Sequence, residues 1–229
     1  MFFNYTKFDV PQLSERTGAE EDTNAIKNAF DIFEKKYEVR IYENYTTQET
    51  LDTFKKLQHD INLYRLDSLI IFISSHGKSR YVFFTKDGEI NINDLREFLF
   101  ETPKGCIYLK GNPKIFMANY CQGKAREEGI DTAIEECSDP FLNTEEGKKP
   151  LMSVPRNIKT FFSTSEGVVA WRRYDGGNYF IQTFCKVLTR NQGLELQQLI
   201  FKTNQEVEAE LKCKTTFSEE GSRFNHFYF

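Results

Sequence analysis

Two short apolar runs constrain the fold of this chain more than any other feature of its sequence. The run Leu69–Ile73 is wholly apolar, and the run Lys114–Ala118 is apolar after its first residue. Such runs are typical of central strands that are buried on both faces of a sheet. Segments with helical periodicity alternate with the strand-like segments, which predicts an α/β fold with a largely parallel sheet.

The other elements are predicted from periodicity and from capping signals. Asp22-Thr23-Asn24 is predicted to cap the first helix, and Thr46 with Glu49 resembles a capping box for the second. The predicted helices span 25–36, 46–62, 93–100, 178–189 and 194–211. The predicted strands span 1–3, 37–42, 69–73, 81–85, 89–92, 114–118, 157–162 and 224–229, with an Asp-Gly hairpin turn between the fourth and fifth.

Composition excludes several classes of function. The 229 residues carry 30 Lys and Arg against 34 Asp and Glu, so there is no basic excess with which to bind nucleic acid. No apolar run approaches the ~20 residues of a membrane span, and the N-terminus lacks the basic and apolar regions of a secretory signal. We therefore expect a cytoplasmic protein. The 5 Cys are scattered without a C-x-x-C pair, so we expect free thiols, no metal and no cofactor.

The length suits a single domain that spans residues 1–229. Its character changes over residues 124–149, where charged residues are dense and apolar periodicity is weak. We predict that this segment is an exposed linker between two parts of the domain.

The candidate chemistry lies just past the two buried strands. His76 follows the first and Cys121 follows the second, so the two side chains share a crevice if the strands are neighbours. A thiol with a pKa of ~8.5 is a weak nucleophile at pH 7, and a nearby imidazole promotes the thiolate and then protonates a leaving amine. Gly77 permits close approach of a backbone N–H to a developing oxyanion. Taken singly, His76 can be a loop histidine and Cys121 a small buried hydrophobe, but the matching positions favour a dyad.

Five segments carry motifs whose order is informative: Ser14–Gly18, Ser75–Gly77, Lys114–Gly123, Ala170–Arg172 and Tyr179–Gln182. The order of these five motifs resembles the caspase family nearly end to end. The separation between His76 and Cys121 is 121 − 76 = 45 residues, and the family places its His about 50 residues before a Q-A-C-[RQG]-G signature.

The resemblance implies a three-layer sandwich with a central, mostly parallel six-stranded sheet and helices on both faces. It divides the chain into a large-subunit-like piece (1–123), an intersubunit linker (124–149) and a small-subunit-like piece (150–229). It further implies a short form without a prodomain.

The resemblance also implies roles for the pocket residues. Arg16 and Arg172 would clamp the aspartate before the scissile bond, with Asn119 where the family has the longer Gln. The strand of Val169, Ala170 and Trp171 would pair with the extended substrate, and Trp171 would wall the next pocket. Within this resemblance, Tyr120 replaces a small residue and Val169 an aromatic one.

Three functions are compatible with these residues. The first is a cysteine endopeptidase that cleaves protein substrates after Asp, in apoptosis or related signalling, as a homodimer or as a heterodimer with a related caspase. The second is a weak or inactive caspase-like regulator that acts as a decoy or dimer partner. The third is an unrelated doubly wound binding protein, although no G-x-G-x-x-G motif or phosphate loop supports it.

Two further expectations concern processing and assembly. Asp131 is the expected processing site, because Asp139 precedes Pro140, a poor residue after a scissile bond. The aromatic segment 224–229 is expected to lie at a sheet edge and to serve the dimer contact.

Overall fold

A six-stranded mixed sheet forms the centre of the protein. The computed structural model describes residues 1–33, 36–101, 105–122, 135–136, 157–166, 170–173, 176–211, 217–221 and 227–229. Across the sheet, the strands are Ser218–Gly221 (β11), Ile158–Phe162 (β9), Lys114–Asn119 (β7), Leu69–Ser74 (β3), Phe2–Asn4 (β1) and Ile41–Glu43 (β2). Every neighbouring pair is parallel except β11 with β9. The predicted α/β fold with a mostly parallel six-stranded sheet is therefore confirmed.

Helices cover both faces of this sheet. They are Glu20–Asp31 (α1), Thr47–Leu57 (α2), Ile92–Glu97 (α3), Tyr179–Arg190 (α4) and Leu196–Leu211 (α5), with short 3-10 turns at Ile61–Arg65 and Ile107–Leu109. The predicted capping box opens α2, where the Thr46 hydroxyl accepts from the Glu49 N–H at 3.2 Å and the Glu49 carboxylate accepts from the Thr46 N–H at 2.8 Å.

Alternate residues of each strand enter separate apolar layers, as the period of a strand requires. On one face Phe2, Phe72 and Phe161 pack with α1, α4 and α5, while on the other Phe3, Ile71 and Phe162 pack with α2 and α3. These side chains are at most 2% exposed. Burying each stabilises the fold by ~1.5–3 kcal/mol relative to exposure.

A small antiparallel sheet follows the predicted site on β3. Gly77–Ser79 (β4), Val82–Phe84 (β5) and Glu89–Asn91 (β6) form it, and β5 with β6 is the predicted hairpin. A further antiparallel pair joins Glu135–Glu136 (β8) to Trp171–Arg172 (β10). Within the described ranges, no helix combines the length and apolar composition that crossing a membrane requires.

The first helix does not begin where the capping signal predicted. It begins at Glu20 rather than 25, and Asp22 lies in its first turn, fully buried, instead of preceding it as a cap. Asp22 instead accepts hydrogen bonds from Asn178 and Gln182 at the start of α4. A local capping pattern does not reveal contacts between segments so far apart in sequence.

The C-terminal residues 227–229 also differ from the expectation, which placed residues 224–229 at a sheet edge. The edge strands of the described sheet are β11 and β2, whereas Phe227 and Phe229 pack into the layer of α1, where the ring centroids of Phe229 and Phe30 lie 5.9 Å apart. Phe227 and Phe229 therefore pack in the core and not at a sheet edge, while Tyr228 between them is exposed. Residues 222–226 lie outside the described part of the chain.

Candidate active site

The ends of β3 and β7 define the site. The two strands are adjacent, parallel and in register, so that Ser74 lies opposite Asn119. His76 and Cys121 each follow two residues later, at 4% and 0% exposure. The structure therefore brings both predicted residues to the carboxyl edge of the sheet, where α/β proteins form their sites.

Gly77 lies against the Cys121 backbone. A Cβ at position 77 would meet the Cys121 carbonyl oxygen at 1.9 Å, far inside van der Waals contact. The two loops can approach this closely only because residue 77 has no side chain.

The His76 ring has a defined tautomer. Its Nε2 lies 2.9 Å from the Ser14 carbonyl oxygen, and the ring packs against Phe8 with centroids 4.9 Å apart. A carbonyl oxygen can only accept, so Nε2 carries a proton, and in the neutral ring the lone pair is on Nδ1. Nδ1 is then the atom that can take and return a proton.

The segment that contains Ala170 and Trp171 covers Cys121. The Ala170 N–H donates to Cys121 Sγ at 3.3 Å, and Trp171 packs against this small cluster. Ala170 and Trp171 thus lie beside the thiol, and their role in substrate binding stays a prediction. Val169, the third predicted residue of this strand, lies outside the described residues.

Arg16 and Asn119 meet through a serine. Arg16, only 4% exposed, donates to the Tyr5 carbonyl at 2.7 Å, to Asn4 Oδ1 at 3.3 Å and to Ser74 Oγ at 2.8 Å. Asn119 Nδ2 lies 3.0 Å from the same Ser74 oxygen. Two of the three predicted pocket residues are therefore joined, through a hydroxyl that sequence reasoning did not single out.

Arg172 lies on the short strand β10. Its neighbours there are β8 on one side and Asn178, through an antiparallel bridge, on the other. Arg172 is half-buried, and the Asn178 amide donates to the Trp171 carbonyl at 2.8 Å. One edge of β10 is thus paired with residues 135–136 of the chain itself.

Asp22 is a buried carboxylate that sequence reasoning missed. Its Oδ1 accepts from the Asn178 N–H at 2.8 Å and from Gln182 Nε2 at 3.0 Å. Burial raises the pKa of Asp22 to about 6, against the opposing effects of the Gln182 hydrogen bond and the positive charges of Arg16 and Arg172. No sequence signal identifies it, because its partners are more than 150 residues away along the chain.

The residues that flank Cys121 are built into the core. Tyr120 is 1% exposed, packs on Phe83 and Phe162, and donates its hydroxyl to the Arg80 carbonyl at 3.2 Å. Gln122 Nε2 donates to the Thr164 carbonyl at 2.5 Å. The Tyr120 ring therefore belongs to the apolar layer under the site.

Two groups of predictions lie outside the described residues. They are the processing site at Asp131 and most of the linker 124–149. Within the described ranges, no group of three or more His, Cys, Asp or Glu residues is placed to hold a metal ion.

The fold and site define the class, an α/β protein with paired Cys and His residues at neighbouring strand ends, and the comparisons define the family. The sequence matches the Caspase domain family over residues 1–226, so the chain belongs to the caspase family. Caspase-3 of Bos taurus is 28% identical over 206 residues, which cover 89% of this chain and 70% of that protein. Caspase-1 of Drosophila melanogaster is 27% identical over 213 residues, covering 90% and 62%. Caspase drICE of the same organism is 26% identical over 191 residues, covering 83% and 54%.

Proposed function

We propose that this chain is a cysteine endopeptidase that cleaves protein substrates after Asp, with Cys121 as nucleophile and His76 as acid and base. The observation that carries the proposal is the register of β3 and β7, which brings His76 and Cys121 to one edge of the sheet. Membership of the caspase family supports the reaction class.

The reaction follows from the chemistry of these groups. His76 takes the proton of the Cys121 thiol, the sulfur attacks the carbonyl carbon of the substrate Asp, and the Gly77 and Cys121 backbone N–H groups stabilise the oxyanion. His76 gives a proton to the leaving amine as the C–N bond breaks. It then takes a proton from water, which hydrolyses the thioester and releases the thiol. Arg16, Asn119 and Arg172 bind the substrate aspartate, and Trp171 lines the adjoining subsite.

Turnover of a fluorogenic peptide with Asp before the scissile bond tests this function. We expect the parent to cleave it and Cys121→Ala to lose at least 10³-fold in kcat, with unchanged circular dichroism, because only the nucleophile is removed. A Cys121→Ala variant that cleaves at the parental rate would refute the assignment of the nucleophile.

A caspase-like regulator is the second candidate function. It is favoured by the arrangement around the thiol, in which Cys121 is fully buried and β8 occupies the edge of β10. A parent protein that never turns over, even after the linker is cut, while still binding an active relative would support this function over the first.

Processing of the linker at Asp131 is part of the proposal. The bond Asp131-Thr132 is the favoured site, because Pro140 disfavours cleavage after Asp139. Intact-mass spectrometry tests it: we expect two fragments that remain associated, and Asp131→Ala should leave one chain with reduced activity. A fully active protein that is intact at Asp131, or cut only at Asp139, would contradict this site.

Assembly and location complete the proposal. Strand β11 lies at an edge of the described sheet, and such edges pair with other chains, which supports a dimer of this chain or a heterodimer with a related caspase. Cys106, Cys121 and Cys185 are free thiols, which supports a reducing compartment such as the cytoplasm and a role in apoptosis or related signalling there. Analytical ultracentrifugation tests the dimer, and fluorescence imaging of the tagged chain tests the location.

A further inference from the structure

Ser74 occupies a position that the roles assigned above leave unexplained. It is the last residue of β3, fully buried, and lies in register with Asn4 on one side and Asn119 on the other. Its Oγ is 2.8 Å from Arg16 Nη2 and 3.0 Å from Asn119 Nδ2. One hydroxyl thus connects Arg16 and Asn119, two of the residues that bind the substrate carboxylate in the proposed function.

The hydrogen-bond capacity of this group indicates its role. In the recorded orientation, Ser74 accepts from both neighbours, while Asn119 Oδ1 is buried without a partner in the part of the chain that the structure describes. The oxygen and nitrogen of an amide are nearly equal in size, and their assignment rests on the hydrogen-bond network. Turning the amide by 180° lets the Ser74 hydroxyl donate to Oδ1 while still accepting from Arg16.

The turned orientation also changes what the pocket offers. The amide nitrogen then takes the position of the partnerless atom, with N–H donors that a substrate carboxylate can accept. A buried donor without a partner costs free energy in the free protein and gains a partner when a carboxylate binds. Arg16 supplies a charged donor on the other side of the same serine.

We propose that Ser74 is a positioning residue of the carboxylate pocket, which orients the short Asn119 amide and the Arg16 guanidinium together so that the pocket prefers Asp to Glu. The proposal rests on the proposed function. The short Asn119 side chain reaches only near neighbours, and Ser74 on the adjacent strand is close enough to hold it. Because the serine accepts from Arg16 as well, the two donors cannot move independently.

Steady-state kinetics on paired Asp and Glu peptides test the role. We expect Ser74→Ala to raise KM for the Asp peptide about tenfold, the loss of one hydrogen bond to a charged group, with a smaller effect on kcat. The Asp-to-Glu ratio of kcat/KM should fall by a similar factor. Ser74→Thr, which keeps the hydroxyl, should restore much of the ratio. Ser74→Cys, of similar volume but with a weak donor, should behave like Ser74→Ala and replaces it if Ser74→Ala does not fold.

Thr50→Val is the matched control. The Thr50 hydroxyl is also fully buried and also has two partners, Tyr5 Oη at 2.8 Å and the Thr46 carbonyl at 2.8 Å, but it lies on α2. The Thr50→Val variant should lower the melting temperature as Ser74→Ala does and leave the Asp-to-Glu ratio of kcat/KM unchanged. Equal ratios in the parent, Thr50→Val, Ser74→Ala and Ser74→Cys would overturn the proposal while the peptidase function stands.

A binding experiment separates this proposal from the peptidase function. Fluorescence anisotropy measures peptides that end in Asp or in Glu on the Cys121→Ala protein, with and without Ser74→Ala. If the parent does not turn over but Cys121→Ala prefers the Asp peptide and Ser74→Ala removes that preference, the role of Ser74 holds and the peptidase function fails. No preference in the protein that retains Ser74 overturns the role of Ser74.

Discussion

The two arginines of the proposed pocket differ in what holds them. Arg16 is 4% exposed, and its guanidinium donates to three oxygens on or beside the central strands β1 and β3. Arg172 is half-buried on a two-residue strand whose neighbours are β8 and Asn178. The first arginine is therefore held by side-chain hydrogen bonds to the central sheet, whereas the second lies on a short strand outside that sheet.

Asp22 interacts electrostatically with both arginines. It is fully buried, feels the positive charges of both, and is itself held by Asn178 and Gln182. Gly177 makes room for it, because a Cβ there would meet Asp22 Oδ1 at 2.3 Å. A fixed carboxylate near two arginines offsets part of their positive charge, and its own negative charge opposes the binding of a second carboxylate.

Arg16→Lys should have the largest effect, on both activity and stability. One ammonium cannot replace a guanidinium that reaches three acceptors, and each charge-assisted bond is worth ~1.5–3 kcal/mol. We expect kcat/KM for the Asp peptide to fall about 10²–10⁴-fold and the free energy of unfolding to fall by about 3 kcal/mol. Urea unfolding and peptidase kinetics measure the two effects. Unchanged stability would show that the sheet does not depend on Arg16.

Arg172→Lys should lose activity alone. We expect a similar fall of about 10²–10⁴-fold in kcat/KM, because the same kind of fork to the substrate is lost, but an unfolding free energy within about 0.5 kcal/mol of the parent. The same two measurements apply. If Arg172→Lys destabilises the protein as much as Arg16→Lys, the contrast between the arginines is wrong.

Asp22→Asn should change how the stability of the protein depends on pH, because it removes the titrating carboxyl group near the two arginines. The folded-state pKa of about 6 exceeds the ordinary 3.8, so the native state holds this proton more tightly than the unfolded state. The resulting stabilisation is complete below pH 4 and is lost as pH rises to about 6, an effect of about 3 kcal/mol.

In Asp22→Asn, which cannot titrate, this pH dependence of unfolding should disappear, and KM for the Asp peptide at pH 7.5 should fall a few-fold. Asp31→Asn is the control, because Asp31 is exposed on the same helix. A stability profile that is identical in parent and Asp22→Asn would show that Asp22 is ionised in the native state throughout.

Asn178→Ser should have the smallest effect and tests the support of Arg172. Serine keeps an oxygen that can cap α4, where Asn178 Oδ1 accepts from the Phe180 N–H at 2.8 Å, but loses the donor to the Trp171 carbonyl. We expect a two- to fivefold fall in kcat/KM and a change in unfolding free energy below about 1 kcal/mol. Full parental kinetics would mean that β10 does not need this bond.

The sequence determined the parts that depend on local periodicity and composition. The buried runs of β3 and β7, the hairpin of β5 and β6, and the capping box of α2 follow from patterns within a few residues. The placement of His76 and Cys121 at one sheet edge follows as well, because parallel neighbours present their carboxyl ends on the same side.

Only the tertiary structure decided which groups meet across the chain. Asp22 reads as a capping residue in sequence, and its contacts with Asn178 and Gln182 form only when α4 packs beside α1. Ser74 reads as a strand end, and its hydroxyl acquires Arg16 and Asn119 from neighbouring segments. The aromatic C-terminus reads as an edge strand, yet Phe227 and Phe229 fill the layer of α1 while the acidic β11 takes the edge. Hydrogen bonds and apolar contacts between distant residues depend on how strands pair and how helices pack on the sheet. No local sequence pattern encodes this arrangement.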